Sequence, residues 1–510
     1  MADETAGDGA VMETPPGSVP PAENTAAKVR SGVVDRYFKI TERGSTMTRE
    51  VRGGLVTFVT MAYIIILNPL ILGSFSADDP GAKRDTLGNI LSVGQVAAVT
   101  ALVAGLMSII FGMVAKYPFA FATGLGINTL VAVTIVPQVT WPEAMGLVVI
   151  DGIIIVILAA TGFRSSVFKA IPNELKSAIA VGIGLFICFI GMVDAGFVTR
   201  VPDAAHTTVP VGLGINGSIG SWPTALFVFG VLLMGVLVVR KVRGGLLIGI
   251  IVTTLASFGA QAIWDIKPSM GGENPGGWGM SVPMLPNIFA SMPDLSLVGE
   301  FSFGAFARIG VLSASLLVFT LVLANFFDAM GTMTGLAKEA ELSDKDGNVP
   351  GIGKALVVEG AGAIMGGAAS SSSNTVFVES ASGIADGART GLANVVTGVL
   401  FLAAMFFTPL YEMVPIEAAA PTLVIVGAMM MSQIKDIDFS RFEIAMPAFL
   451  TIVVMPFTYS IANGIGVGFI AWVVLAVAAG RARQTHVLMW LVSAAFIAYF
   501  AMDPIRSALG

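Results

Sequence analysis

The sequence predicts an all-α polytopic membrane protein, and three observations predict it. Of 510 residues, 55% are hydrophobic and only 12% are charged, about half the charge of a soluble globular chain. That charge is unevenly placed. From Leu91 to Gly162 only Lys116, Glu143 and Asp151 are charged, too few to build a water-facing surface. Long apolar runs alternate with short polar breaks, the pattern of successive transmembrane helices. The net charge of −6 says little, because charge on a membrane protein is read by location.

Taken in order, the chain opens with a stretch to about Ala27 that is rich in Gly, Pro, Ala and Glu. It holds no apolar core long enough for a cleavable signal and reads as a disordered cytoplasmic tail. Lys28, Arg30, Arg36, Lys39, Arg43, Arg49 and Arg52 follow and suit an interfacial segment ahead of the first span. Apolar runs then place spans near 53–73, 93–115, 119–137, 144–162, 176–197, 222–240 and 244–264. A second set lies near 309–337, 352–368, 375–387, 390–411, 418–433, 442–460 and 462–480. One more run, 485–503, is either a further crossing or an in-plane helix.

Charge in the connections tests this count. With a cytoplasmic N-terminus, the even-numbered connections should be basic. They carry Lys116; Arg164, Lys169 and Lys176; Arg240, Lys241 and Arg243; then Lys338, Lys345 and Lys354; Arg389; Lys435 and Arg441; and Arg481 and Arg483. The odd connections are mixed or acidic, as between Asp78 and Asp85 and at Glu412 and Glu417. About 14 transmembrane helices fit this bias.

The two sets resemble each other. Gly146 to Leu185 and Gly391 to Met429 each hold an apolar helix opening on Gly-Leu, a Pro-bearing link followed closely by Glu, and a glycine-bearing helix. Gly244-Gly245-Leu-Leu-Ile-Gly likewise echoes Gly464-Ile-Gly-Val-Gly. An odd number of spans per set forces the second to insert upside down, giving a 7+7 inverted repeat, an arrangement found in secondary transporters.

The third span of each set is abnormal. Tyr117-Pro118-Phe-Ala-Phe-Ala-Thr123-Gly124-Leu-Gly126-Ile-Asn128 is interrupted by Pro and Gly, and Ser370 to Thr375 lead into Val-Phe377-Val and then Glu379-Ser380-Ala-Ser382-Gly383. Both read as a short extended piece followed by a short helix. Extended backbone at membrane depth survives only when its polar groups are paired within the protein or line a cavity. Two short strands at the broken third and tenth spans would satisfy each other, with both half-helix N-termini aimed at the midplane. That crossing is the predicted substrate site.

Intramembrane acids point to the same place. Asp328 falls mid-span, and Asn325, Asp328, Thr332 and Gly335 share one face at three- and four-residue spacing. A carboxylate at the bilayer centre costs about 3 kcal/mol on insertion scales, so its default reading is functional. Glu379 sits at the break of the tenth span, where a helix N-terminus can stabilise its charge. Two carboxylates facing one low-dielectric cavity do not both stay ionised cheaply. A group that takes a proton on one side and releases it on the other is what proton symport requires. Asn128 at the first break either bridges ligand or ties the opposing strand. Glu359 is either part of a proton route or bonded to a neighbouring helix, and Asp151 reads as a packing residue.

Other chemistry is not signalled. The lone cysteine, Cys188, sits in an apolar run, and His206 and His486 fall in loops or at a span edge. No His/Cys metal constellation, phosphate loop or nucleophile elbow appears, and no basic stripe suits a nucleic acid. No cofactor is expected, and an enzyme is not.

The runs GGLVTFVTMAYIIILNPLIL (53–72), FATGLGINTLVA (121–132), FFDAMGT (326–332), SSSSNTVFVESASGIADGARTGL (370–392) and APTLVIVGAMM (420–430) resemble AzgA-type adenine–guanine–hypoxanthine permeases, within the nucleobase–ascorbate transporter superfamily. The resemblance covers the chain after about Arg36, although the serine run is longer than usual. It implies proton-coupled purine uptake by elevator-like alternating access in the cell (inner) membrane, commonly by a homodimer. Uracil, xanthine or anion transport on the same architecture is the alternative. It also implies a core domain at 51–163 (spans 1–4) and 301–412 (spans 8–11), after a tail at 1–50. A gate domain would take 164–300 (spans 5–7 and an outer loop) and 413–510 (spans 12–14 and the last apolar run). Carried over by motif, Asp328, Glu379, Gly126 and Asn128 contribute to purine binding, with Thr332 and Ser380 beside them. Phe377 or Phe327 either packs on the ring or is a lipid-facing or core aromatic. Asp328, Glu379 and Glu359 are the expected proton-coupling acids.

Overall fold

The computed structural model describes residues 32–77, 82–161, 171–200, 211–269, 274–279, 282–286, 288–342 and 352–501. The tail to Ala27, Arg164, Lys169, His206 and Lys345 lie outside the described residues. A short helix, α1 (Val33–Phe38), precedes α2 (Met47–Met61), α3 (Ile64–Leu72) and α4 (Val93–Val114). Strand β1 (Phe121–Thr123) leads into α5 (Leu125–Thr129), which continues as a π turn and a 3-10 turn to Gln138. Then come α6 (Trp141–Ala160), α7 (Asn173–Asp194), β2 (Val198–Arg200), β3 (Val211–Leu213), α8 (Trp222–Val239) and α9 (Gly245–Trp264).

The second part begins with α10 (Ala305–Ile309), α11 (Val311–Glu339) and α12 (Ile352–Ala368). It continues with β4 (Asn374–Val376), α13 (Ser380–Ala385), α14 (Gly391–Ala404) and α15 (Thr408–Glu412). The remainder is α16 (Ile416–Ala419), α17 (Pro421–Met430), α18 (Phe442–Phe457), α19 (Ile461–Ala478) and α20 (Val487–Phe500). Among the described residues, nine helical stretches are long and apolar enough to cross a bilayer. Leu232, Leu255, Ile263 and Phe457 point outward and are exposed, as lipid-facing positions require.

Local chemistry sets the helix starts. Thr140 and Glu143 form a reciprocal capping box at α6, with Pro142 in the first turn. Ser221 and Ser460 cap α8 and α19. The first span starts earlier than its apolar run suggests. Thr46 accepts a hydrogen bond from the Arg49 amide, and a charged first turn precedes the apolar stretch. The helix axis is then interrupted at Ala62 and Tyr63.

The helices sort into two packing groups. In one, α4 and α2 pack on α14, α6 packs on α12 and α11, and α13 lies on α2. In the other, α7 packs on α17 and α18, α8 on α9 and α17, and α18 on α19. Glycines let helices of the first group touch backbone to backbone. A methyl on Gly112 or Gly391 would overlap the carbonyl of the other, joining α4 to α14. One on Gly360 would lie 2.8 Å from the Val156 amide and 3.0 Å from the Gly152 carbonyl, joining α12 to α6. Such approaches are characteristic of helices packed in lipid, where small residues bring backbones together.

Between these helices β1 and β4 run antiparallel, with Phe121 opposite Val376, Ala122 opposite Thr375 and Thr123 opposite Asn374. The ladder extends at both ends: the Gly124 amide donates to the Ser373 carbonyl at 3.0 Å, and the Phe377 amide to the Ala120 carbonyl at 3.0 Å. All six strand residues are buried. Pairing is what makes extended backbone tolerable there.

Candidate functional site

The strand crossing organises the site. After β1 the chain turns at Gly124 into α5, and after β4 it turns at Glu379 into α13. A Cβ on Gly124 would sit 3.1 Å from Thr375 Cγ2 and 3.8 Å from Asp328 Oδ2. Glycine therefore lets the strand pass beneath an acid of α11. Asp328 is accessible to solvent although it lies mid-helix, and its charge interacts with that of Glu379. The two acids that the sequence singles out thus both lie beside the strand crossing, Asp328 near Gly124 and Glu379 at the turn after β4, and their charges interact.

Glu379 stands at the N-cap position of α13, at the break of the tenth span. Its carboxylate makes no capping hydrogen bond to α13; Glu379 Oε1 accepts a 2.6 Å hydrogen bond from the Tyr63 hydroxyl, and its carbonyl accepts a 3.4 Å bond from Thr60 Oγ1. Both donors come from the interrupted first span. Tyr63 is 1% exposed, so its ring is fixed and its hydroxyl orients one carboxylate oxygen.

A cavity of about 350 Å³ opens from Glu379 to the surface. Thr60, Glu379 and Ser382 line it on one side; Lys241, Arg243 and Met429 line it on the other. It therefore separates α2 and α13 from α8, α9 and α17. At its rim Asp386, in the turn after α13, pairs with Arg52 of α2 and, at 2.8 Å, with Arg243 of the α8–α9 turn.

The remaining predicted residues take distinct places. Asn128 is fully buried, and its amide donates to Asn68 Oδ1 at 2.6 Å and Thr123 Oγ1 at 3.0 Å. It ties α5 to α3 and to β1. Ser380 Oγ accepts from the Ala120 amide at 3.0 Å, so it locks the tenth span to the strand entering the third. Gly126 faces α7, where an added Cβ would meet Ile183 at 2.8 Å. Phe377 is buried in the main apolar core, and Thr332 is half-buried one turn beyond Asp328. The side chain of Phe327 lies outside the described residues.

Glu359 is fully buried and lies away from the cavity lining, in electrostatic contact with Asp151. Asn325 donates to Asp151 Oδ2 at 3.1 Å and to Ser373 Oγ at 2.9 Å. Among the described residues, no group of three or more His, Cys, Asp or Glu is placed to hold a metal.

Sequence reasoning missed Tyr63, Thr60 and the Asp386 ion pairs. A signal for Tyr63 was present. A tyrosine followed five residues later by Asn68-Pro69 interrupts an otherwise apolar span, and a buried phenol needs a partner.

Known proteins place this geometry in context. The family model Xan_ur_permease, described as "Permease family", matches residues 48–467. The guanine/hypoxanthine permease PbuG of Bacillus subtilis (strain 168) is 37% identical over 467 residues, covering 91% of this chain and 98% of the relative. The adenine permease AdeQ of Escherichia coli (strain K12) is 32% identical over 473 residues, covering 91% and 96%. Among solved structures, the transmembrane domain of a cyanobacterium bicarbonate transporter, BicA, is similar with a TM-score of 0.58 at 14% identity. The match covers 82% of this chain and 97% of that one. The murine anion transporter Slc26a9 in its inward-facing state gives 0.55 at 12% identity, covering 90% and 73%. At such identities the two structures speak to fold alone.

Proposed function

The chain belongs to the Xan_ur_permease family, and from that premise we propose that it imports purine nucleobases (hypoxanthine, guanine or adenine) by proton symport. It is a multi-pass membrane transporter and not an enzyme. One observation carries the purine reading: Asp328 and Glu379 both lie beside the β1–β4 crossing and interact electrostatically, and a cavity reaches Glu379. A purine presents ring N–H donors that carboxylates accept. Its acceptor nitrogens and oxygens are suited to backbone and side-chain amides near the half-helix starts. The names of relatives at 32–37% identity support the same substrate class.

In this reading Asp328 and Glu379 bind the base and take part in proton coupling, with Glu359 behind them. Gly126, Asn128, Thr332, Ser380 and Phe377 shape the pocket. The two packing groups support a core (spans 1–4 and 8–11) and a gate (spans 5–7 and 12–14) that slide in elevator fashion. The paired contacts of α4 with α14 and α6 with α12 support a 7+7 inverted repeat of 14 spans. In each pair, a second or fourth span of one half meets the fourth or second of the other. With the basic turns cytoplasmic in the inner membrane, the N-terminus is inside. The cavity at Lys241 and Arg243 then opens inward. A homodimer is part of the same reading.

An anion would be repelled by two carboxylates, which counts against the anion alternative. The test is uptake of radiolabelled hypoxanthine into expressing cells, competed by a panel of bases, with and without a proton uncoupler. Guanine and adenine should compete, uracil and bicarbonate should not, and the uncoupler should collapse accumulation. No uptake above vector control, or stronger competition by uracil, would contradict the proposal.

A further inference from the structure

A second cleft, of about 560 Å³, lies apart from the strand crossing. It forms where the starts of α7 and α18 meet the end of α19 and the turn into α20. Glu443, Trp472, Arg481, Arg483, Thr485 and His486 line it. The sequence builds it by an abrupt change of composition. α19 is apolar to Ala478, and Gly480 then turns the backbone at a φ of 70°. Arg481 to His486 supply polar groups before α20 resumes an apolar run.

Charge around the cleft does not balance. Arg481 lies 3.0 Å from Glu443 Oε1, and Arg441 lies 2.9 Å from the same oxygen. Two guanidiniums thus share one carboxylate, and among the described residues Arg483 has no ion pair. At the start of α7, Glu174 interacts with Lys176, so that turn adds no net charge. Arg441, Arg481 and Arg483 against Glu443 leave the cleft with an excess of positive charge. Neutral donors line the same space. His486 Nδ1 accepts the Leu488 amide at 3.2 Å, so the neutral ring carries its proton on Nε2 as a donor. Thr485 adds a hydroxyl, and α20 begins at the cleft with its positive end. Beside this polar wall the surface is apolar. Val487 lines the cleft, and Val487, Trp490 and Leu491 are exposed on one face of α20, at three- and four-residue spacing. A soluble anion needs only the cations. A phospholipid also needs an apolar face open to the bilayer next to them, and α20 supplies it.

We infer that this cleft holds the phosphate headgroup of an anionic phospholipid, with Arg483 as its main cation and the acyl chains along α20. The planar guanidinium of Arg483 can pair with two phosphate oxygens, and His486 Nε2 and Thr485 Oγ1 can donate to the others. A phosphate there offsets the positive charge that Glu443 alone does not. Basic pockets between membrane helices are suited to such headgroups. The lipid bridges the starts of α7 and α18 and the end of α19, all in one packing group. A ligand that binds only the folded arrangement stabilises it. The site stands apart from the crossing and does not depend on which base is carried.

Native mass spectrometry of the purified full chain in detergent tests this, with dioleoyl phosphatidylglycerol as the probe and dioleoyl phosphatidylcholine as the neutral comparison. Wild type should retain phosphatidylglycerol more strongly, and Arg483→Gln should cut that preference about fivefold, the scale of one basic residue at an anionic surface. Lys267→Gln, at an exposed residue of another loop, should keep it. Equal retention of the two lipids by wild type overturns the inference, as does an undiminished preference in Arg483→Gln. Thermal melting separates lipid from soluble anion. Phosphatidylglycerol should raise the melting temperature of wild type, and inorganic phosphate at matched ionic strength should not. A rise with phosphate and none with lipid would make this a site for a soluble anion and overturn the lipid assignment. Should Arg483→Gln fail to fold, a photoreactive phosphatidylglycerol on wild type decides. Its label should fall within residues 472–491, and label confined to other segments overturns the inference.

Discussion

The Tyr63 hydroxyl donates a 2.6 Å hydrogen bond to Glu379 Oε1, joining residues 316 positions apart at the one place where the first and tenth spans are both interrupted. The bond fixes one oxygen of Glu379. A hydrogen bond to a charged group contributes about 1.5–3 kcal/mol. Tyr63→Phe should therefore raise the apparent KM for hypoxanthine about tenfold or more while protein levels in the membrane stay normal. An unchanged KM would show that Glu379 needs no such orientation.

Arg243 and Asp386 bridge the cavity rim at 2.8 Å, linking the α8–α9 turn to the helix that carries Glu379. Arg243 is mostly exposed, so the pair adds at most about 1 kcal/mol to stability, and Arg243→Ala should leave the melting temperature nearly unchanged. The pair should separate during an elevator movement. With Cys188 replaced, the double variant Arg243→Cys and Asp386→Cys, joined by a short reducible thiol cross-linker, should stop uptake, and a reductant should restore it. Uptake that persists in the cross-linked protein would argue against relative sliding at this rim.

Gly391 lies against the Gly112 carbonyl with no room for a methyl. Overpacking of a tight contact costs about 1–3 kcal/mol, so Gly391→Ala should lower the detergent melting temperature measurably. Gly259, which has open space around it, supplies the control: Gly259→Ala should be neutral. Equal melting of the two variants would contradict the packing described.

Much of this was legible in one sequence. Pro118 and Gly124 in one span, and the run Ser370 to Ser373 in another, mark backbone that cannot stay helical, and the structure pairs those two places as strands. Asp328 and Glu379 were legible because an acid in an apolar span is costly enough to need a reason. Relationships between distant residues were not legible. Asp151 read as packing because its neighbours Asn325 and Glu359 lie in helices far along the chain, and nothing local reports their approach. The hydrogen bond from Tyr63 to Glu379 was not legible because Tyr63 looks, in sequence, like one more large residue in an apolar run. The early start of the first span was hidden by its charged opening turn, which an apolar window excludes.

Direct binding of radiolabelled hypoxanthine to the purified protein tests the two-acid crossing most simply, since it needs neither gradient nor orientation. Wild type should bind saturably, with displacement by guanine or adenine, and Asp328→Asn and Glu379→Gln should each lose at least about tenfold in affinity, the scale set by removing a charged hydrogen-bond acceptor. Binding of wild-type strength by both variants would contradict the placement of the base between these two carboxylates.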